Sequence, residues 1–190
     1  MEPDTAARST ITGRWSVRTE FASWFGASKA VDDEGRPLVL FHGTGHSISA
    51  FRLSDSGFYG RGIYLTDDAE DASDYAENAP GATPNVMPVY ALMRKPYVFE
   101  AGYAVQESTA ESLIKKVLKG DARKRALATF DEQGALTDEI FQVLEDRGHD
   151  GLIVQVPGEP VEYIVFSPAQ VKSAIGNRGT FDPLDPDICR

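Results

Sequence analysis

The sequence predicts an α+β fold, and three observations carry that prediction. Short apolar runs of strand length recur along the chain, bounded by glycine, proline and aspartate. Between the fourth and fifth of these runs lies a stretch, about 108–146, whose apolar residues recur at spacings of three and four, the helical period. A glycine-rich stretch, Gly57 to Thr66, precedes its strand instead of following one, so it is not a phosphate-cradling loop, and it lacks the Gly-Lys-Ser/Thr ending of such loops. At 190 residues the chain is read as a flexible N-terminal segment (1–18) and one domain (19–190), long enough to bury its own core.

The elements follow in order. Thr19 to Phe25 reads as a short helix with Phe21, Trp24 and Phe25 on one face, ended by Gly26. Asp32 to Gly35 is a turn, and Leu38 to Phe41 a buried strand that ends in a polar loop, His42-Gly43-Thr44-Gly45. Ile48 to Leu53 packs back on the core. Ile63-Tyr64-Leu65 is a strand, and Asp67 or Asp68 caps a helix from Ala69 to Ala79. Met87 to Met93 is a strand and Pro96 to Glu100 a shorter extended piece. The insert holds three helices: Glu111 to Leu118, started by Ser108 or Thr109 and ended by Gly120; Asp121 to Phe130; and Thr137 to Asp146, with Ile140, Phe141 and Leu144 on one face. Leu152 to Val156, Val161 to Phe166 and Val171 to Ile175 are the last strands. Gly176 to Arg190, with its glycines and Asp-Pro pairs, reads as a loop-like tail.

Composition narrows the class. Hydrophobic content of 42% and charge of 25% are those of a soluble globular protein, and no apolar run has the length of a membrane span. Met1 to Arg14 is polar and has no signal-peptide core. Disorder, a fusion remnant and a delivery signal all fit it. The single cysteine, Cys189, allows no disulfide within the chain and points to a reducing cytosol, the protein's own or a host's. A net charge of −10 disfavours non-specific nucleic-acid binding. Against that background Lys115, Lys116, Lys119, Arg123, Lys124 and Arg125 cluster with only Asp121 among them. They form either a solvated helix face or a docking patch for an acidic partner.

Candidate functional residues are few. Tyr64 and Tyr75, eleven residues apart, could converge beside the Gly57–Gly62 loop and hold a flat ring between aromatic faces, or could both be core. His42 sits in a polar loop at a strand end, where functional groups gather; the structural role competes with the catalytic one. Glu162 stands among Val161, Tyr163, Ile164 and Val165, where a carboxylate costs energy unless it is paired, used or turned to solvent. No metal-ligand spacing appears; His42 and His46 are four apart, but the glycines between them break the helix that a zinc pair would need.

Taken together and in order, His42-Gly43, Gly62-Ile63-Tyr64, Tyr75 and Glu162-Tyr163-Ile164-Val165 resemble the ADP-ribosyltransferase superfamily in its His-Tyr-Glu branch, which holds the diphtheria-type toxins and the poly(ADP-ribose) polymerases. Trp24 to Lys29, Pro37-Leu38-Val39 and the tail from Phe166 look more narrowly like transferase domains of phage head-associated and polyvalent proteins and of bacterial effectors. The resemblance covers the chain from about Thr19. It implies a split β-sandwich of two mostly antiparallel sheets around an NAD cleft, with 108–146 as a helical insert. By the same resemblance His42 would bond the adenosine-side ribose, and Gly43, with Thr44 beside it, would bind the nicotinamide carboxamide. Tyr64 and Tyr75 would sandwich the nicotinamide, and Glu162 would bond the 2′-hydroxyl of its ribose. Catalysis would then rest on Glu162, His42 and Tyr64.

The departures are informative. Ala72 stands three residues before Tyr75, where the polymerases usually carry serine, which removes one carboxamide hydrogen bond. Pro160 stands two residues before Glu162, where the arginine-modifying branch has Glu or Gln, and this speaks against arginine as acceptor. Glu159 remains available to act on an acceptor. The expected function is mono-ADP-ribosyl transfer from NAD⁺, without a metal, to a macromolecular acceptor that is a protein sooner than a nucleic acid. An NAD glycohydrolase and a non-catalytic phage-derived binding module are the alternatives.

Overall fold

The computed structural model describes residues 19–54, 57–81, 83–102 and 106–190; the reading of 1–18 as a flexible segment lies outside them. The strands are β1 (Leu40–Thr44), β2 (Ile63–Thr66), β3 (Asn85–Ala91), β4 (Tyr97–Glu100), β5 (Gly151–Gln155), β6 (Glu162–Val165) and β7 (Val171–Ser173). The helices are α1 (residues 19–25), α2 (Ala69–Asn78), α3 (Gln106–Val117), α4 (Gly120–Gln133) and α5 (Asp138–Asp146), with a 3₁₀ turn at Pro168–Gln170. This is the α+β class that the pattern predicts.

The strands bond in the order β4-β5-β6-β2-β1-β3-β7, and every pair is antiparallel except β4–β5. The order has a seam. β1 and β3 register at five positions and β2 and β6 at four, but β1 and β2 meet only at Phe41–Thr66. The two small sheets expected from the sequence are thus two halves, β4-β5-β6-β2 and β1-β3-β7, that share one pair and then part.

Each face of the sheet carries its own core. Leu152, Val154 and Ile164 point to the helical insert and pack with Leu113 and Ile114 of α3, Phe130 of α4 and Ile140, Phe141 and Leu144 of α5. Ile153, Tyr163 and Val165 point the other way, to Leu40, Val89 and Ile188. This is the two-residue alternation of a strand. Since both faces are covered, β6 reads in sequence as one nearly continuous apolar run. Each fully buried aliphatic side chain of the α5 face contributes about 1.5–3 kcal/mol.

Several boundaries differ from the sequence reading. β1 starts at Leu40 and runs through Thr44, because its ladder with β3 continues to Thr44–Asn85; His42 and Gly43 therefore lie in a strand and not in a loop beyond it. β3 likewise begins at Asn85 and stops at Ala91. α3 begins at Gln106, ahead of Ser108 and Thr109. α4 begins at Gly120 and extends to Gln133, where Gly134 takes a left-handed conformation and donates its N–H to the Phe130 carbonyl.

Helix α2 is capped by Asp68, whose carboxylate accepts from the N–H groups of Glu70 (2.7 Å) and Asp71 (3.2 Å). Asp67 instead accepts from the Val161 N–H at 2.9 Å and ties the start of α2 to the approach of β6. The helix lies so close to β1 that a Cβ on Gly43 would stand 2.0 Å from the Ala72 carbonyl oxygen. Gly43→Ala is expected to force the two elements apart and to lower stability by about 1–3 kcal/mol, measured by urea unfolding. A variant as stable as the wild type would contradict this contact.

The tail, 176–190, forms no helix or strand, as its composition predicts, but it is firmly held. Lys172 of β7 is fully buried, and its Nζ donates to the carbonyls of Asp185 (2.6 Å) and Asp187 (3.0 Å). Burial lowers the lysine's pKa, and the Asp185, Asp182 and Asp187 charges oppose that shift. Ile188, 3% exposed, enters the core, accepts from the Ser173 N–H at 2.8 Å and donates to the Ser49 carbonyl at 3.0 Å. The tail thereby supports the segment around Ser49.

Candidate active site

A cleft of about 920 Å³ lies along the seam between the half-sheets. Its walls are Phe41 to Gly43 of β1, Ile63 to Thr66 of β2, the segment His46 to Arg52, and Asp71, Ala72 and Tyr75 of α2, with Glu162 of β6. The sequence candidates His42, Gly43, Tyr64, Tyr75 and Glu162 are brought together here. Thr44 is not part of the lining; its hydroxyl accepts from the His46 N–H at 3.3 Å and shapes the turn after β1.

His42 bridges the seam. Its Nδ1 lies 2.8 Å from the Tyr64 carbonyl oxygen. A carbonyl only accepts, so Nδ1 carries the proton and, in the neutral ring, Nε2 is left as an acceptor. Burial lowers the histidine pKa, against the pull of that hydrogen bond, and keeps the ring neutral near pH 7. Phe51 meets the imidazole edge-on at 4.8 Å and fixes its plane.

Tyr64 is fixed by both ends of its polar group. Its hydroxyl donates to the Gly60 carbonyl at 2.6 Å and accepts from the Tyr59 N–H at 3.0 Å. The ring passes over Gly57, where a Cβ would lie 2.1 Å from a ring carbon. Gly57 thus serves close approach between loop and ring, while Gly60 lies against the Thr137 carbonyl and Gly62 against the Ile164 side chain. Burial, with the Glu162 charge, raises the Tyr64 pKa, so the hydroxyl stays protonated. Tyr75 differs: it lines the cleft from α2 and is 66% exposed.

Glu162 opens β6 opposite Thr66. Partial burial raises its pKa to about 7; a hydrogen bond from the Tyr59 hydroxyl works against that rise, and the charge of Asp71 adds to it. Burial and the nearby carboxylate push the Tyr59 hydroxyl well above its usual range, so it remains a donor. The cleft therefore holds a carboxylate poised near neutrality, with a buried phenol orienting it.

These elements have a counterpart among known proteins. The model of a family described as ADP-ribosyltransferase in polyvalent proteins matches residues 32–181. The chain belongs to this family. The matched span takes in all seven strands and α2 to α5, and leaves α1 and the last residues of the tail outside it. No curated protein matches the chain at a significant level. The ADP-ribosyltransferase family uses NAD⁺ as co-substrate, and the cleft has features that suit such a ligand: its volume is that of a cofactor site, and it offers aromatic faces, a neutral imidazole acceptor and a carboxylate.

Two features of this transferase escaped the sequence reading. Tyr59 looked like one more apolar member of Phe58-Tyr59-Gly60, and nothing local signals its bond to Glu162. Asp71 is four residues before Tyr75, a helical spacing that puts both on the cleft face of α2, but without the fold it is one acid among several. Glu159, by contrast, is exposed on the loop before β6 and does not line the cleft.

The basic cluster of the insert is largely answered by its neighbours. Lys115 pairs with Glu111, Lys124 with Asp121 and Arg125 with Glu139. Arg123 donates to the carbonyls of Leu118 and Lys115, and Lys116 lies over the Phe99 ring. Lys119 precedes α4 and is exposed. Among the described residues no group of three or more His, Cys, Asp or Glu side chains is placed to hold a metal, and no helix is long and apolar enough to cross a membrane.

Proposed function

We propose that this ADP-ribosyltransferase moves one ADP-ribose unit from NAD⁺ to a macromolecular acceptor, a protein sooner than a nucleic acid, and releases nicotinamide. The observation that supports this most is the convergence of His42, Tyr64 and Glu162 on one cleft from three separate strands. In this reading the nicotinamide lies against the fixed Tyr64 ring and is covered by the exposed Tyr75. The Gly43 backbone meets the carboxamide, Nε2 of His42 accepts from the adenosine-side ribose, and Arg52 in the cleft wall offers charge to the diphosphate.

The chemistry follows from where charge develops. The bond between the ribose anomeric carbon and the pyridinium nitrogen breaks, and its electron pair leaves with nicotinamide, which departs neutral. Positive charge then spreads over the anomeric carbon and ring oxygen, as in glycoside cleavage. Glu162, held by Tyr59 and bonded to the 2′-hydroxyl, strengthens its interaction as that charge appears. The leaving group is already cationic in NAD⁺, so this reading routes no step through a metal or an enzyme nucleophile.

Titration calorimetry with NAD⁺ and with nicotinamide tests the reading. The folded protein is expected to bind both, and Tyr64→Ala to weaken nicotinamide binding by about 1–3 kcal/mol, the usual worth of stacking a flat ring. Binding of neither ligand by folded protein would overturn it.

A further inference from the structure

The reaction needs a second proton acceptor. When an acceptor hydroxyl or amine attacks the anomeric carbon, it must lose a proton. Glu162 is a poor candidate for that proton, because in the proposed mechanism it must stay charged beside the ribosyl cation while engaged with the 2′-hydroxyl and Tyr59. His42 has its Nδ1–H committed to the Tyr64 carbonyl, and in the reading above its Nε2 is taken by the adenosine-side ribose. Glu159, the carboxylate that the sequence offered, is exposed on the loop before β6 and outside the cleft, and Pro160 occupies the position nearer Glu162.

We infer that Asp71 is the general base that takes the proton from the acceptor. This rests on the NAD⁺ reading above. Among the described residues lining the cleft, Asp71 and Glu162 are the two carboxylates, and they come from different elements, α2 and β6. Asp71 shares the cleft face of α2 with Tyr75, one helical turn on, and therefore stands beside the nicotinamide end proposed for the ligand. The Asp68 cap holds the Asp71 backbone N–H at 3.2 Å, which fixes the residue in the first turn of α2. Both carboxylates line the same cleft, close enough for the Asp71 charge to add to the rise of the Glu162 pKa. Glycoside cleavage likewise divides its work between two carboxyl groups, one of which acts as the base that activates water.

The step balances. The acceptor O–H or N–H supplies an electron pair to the anomeric carbon, the new bond forms as the bond to nicotinamide is lost, and the acceptor proton passes to the Asp71 carboxylate. No oxidant or reductant is involved. A neutral nucleophile needs this help; an anion that carries no proton does not.

Azide separates the roles. Water serves as the probe acceptor, with NAD⁺ cleavage followed as nicotinamide release by wild type, Asp71→Asn, Asp71→Ala, His46→Gln and Glu162→Gln. Both Asp71 variants are expected to bind NAD⁺ with near-wild-type affinity and to hydrolyse it at least tenfold more slowly, toward the order of 10². Added sodium azide should restore their nicotinamide release and yield ADP-ribosyl azide, while Glu162→Gln should gain nothing. Wild-type hydrolysis by both Asp71 variants would overturn the assignment, as would slow variants that azide does not rescue. Azide rescue of His46→Gln in place of the Asp71 variants would move the role to His46. A folded wild type that releases no nicotinamide from NAD⁺ would overturn the NAD⁺ reading itself, and this inference with it.

Discussion

Replacing Glu162 by glutamine is expected to slow nicotinamide release by on the order of 10²–10³-fold while NAD⁺ affinity stays nearly unchanged. Ground-state NAD⁺ carries its positive charge on the pyridinium ring, which the proposed function sets beside Tyr64, and not on the ribose. As the glycosidic bond stretches, charge moves to the anomeric carbon, and only then does a carboxylate on the neighbouring 2′-hydroxyl gain strength. Glutamine keeps the shape and still accepts from the Tyr59 hydroxyl, so the loop and β6 should hold their places. What is lost is a negative charge used in the transition state, and such a loss lowers kcat and kcat/KM together. His42→Ala should show the opposite pattern, with weakened binding, because His42 bonds the Tyr64 carbonyl and bridges the two half-sheets in the ground state. Near-wild-type turnover by Glu162→Gln would remove the catalytic assignment.

The pH dependence should be nearly as large. The free protein holds Glu162 at a pKa of about 7, mainly through burial. If the charged form is the active one, kcat/KM should rise about tenfold per pH unit below 7 and level off above it. The limb in kcat should fall at lower pH, since bound pyridinium favours the carboxylate. Stability should run the other way. A carboxyl whose folded pKa lies above its unfolded value of about 4.5 contributes stability that is complete below the unfolded pKa and is lost as pH rises through the folded one. The wild type should therefore lose on the order of 1–3 kcal/mol relative to Glu162→Gln between pH 5 and pH 8, measured by urea unfolding of both. Parallel stability profiles of the two proteins would show that Glu162 titrates in its ordinary range.

How much of this was legible in the sequence depended on how local the cause was. The apolar face of α5 is set by spacing within one helix, and Ile140, Phe141 and Leu144 are buried as read. The residue types at the cleft were visible as an ordered set along the chain, His42-Gly43, Tyr64, Tyr75 and Glu162. The register of β1 was not: the apolar run stops at Phe41, but the ladder continues to Thr44 because Asn85 of a distant strand is there to pair with it. Tyr59 was missed for the same reason, since its partner is far along the chain. Lys172 and the tail show a third case. A lysine in a strand reads as solvent-facing, and only the Asp185 and Asp187 carbonyls folded over it explain its burial.

The seam between β1 and β2 makes cohesion and affinity one quantity. Beyond Phe41–Thr66 the described hydrogen bond across it is His42 to Tyr64, so a dinucleotide bound there as proposed would act as the missing rungs of the ladder. Whatever free energy it gains by touching both halves is also withheld from their separation. At a concentration a hundredfold above Kd this amounts to about 2.7 kcal/mol of added resistance to unfolding. In the proposed function the substrate would then be a structural member of the enzyme for as long as it is bound, and each departure of nicotinamide would remove part of the brace that held the sheet shut.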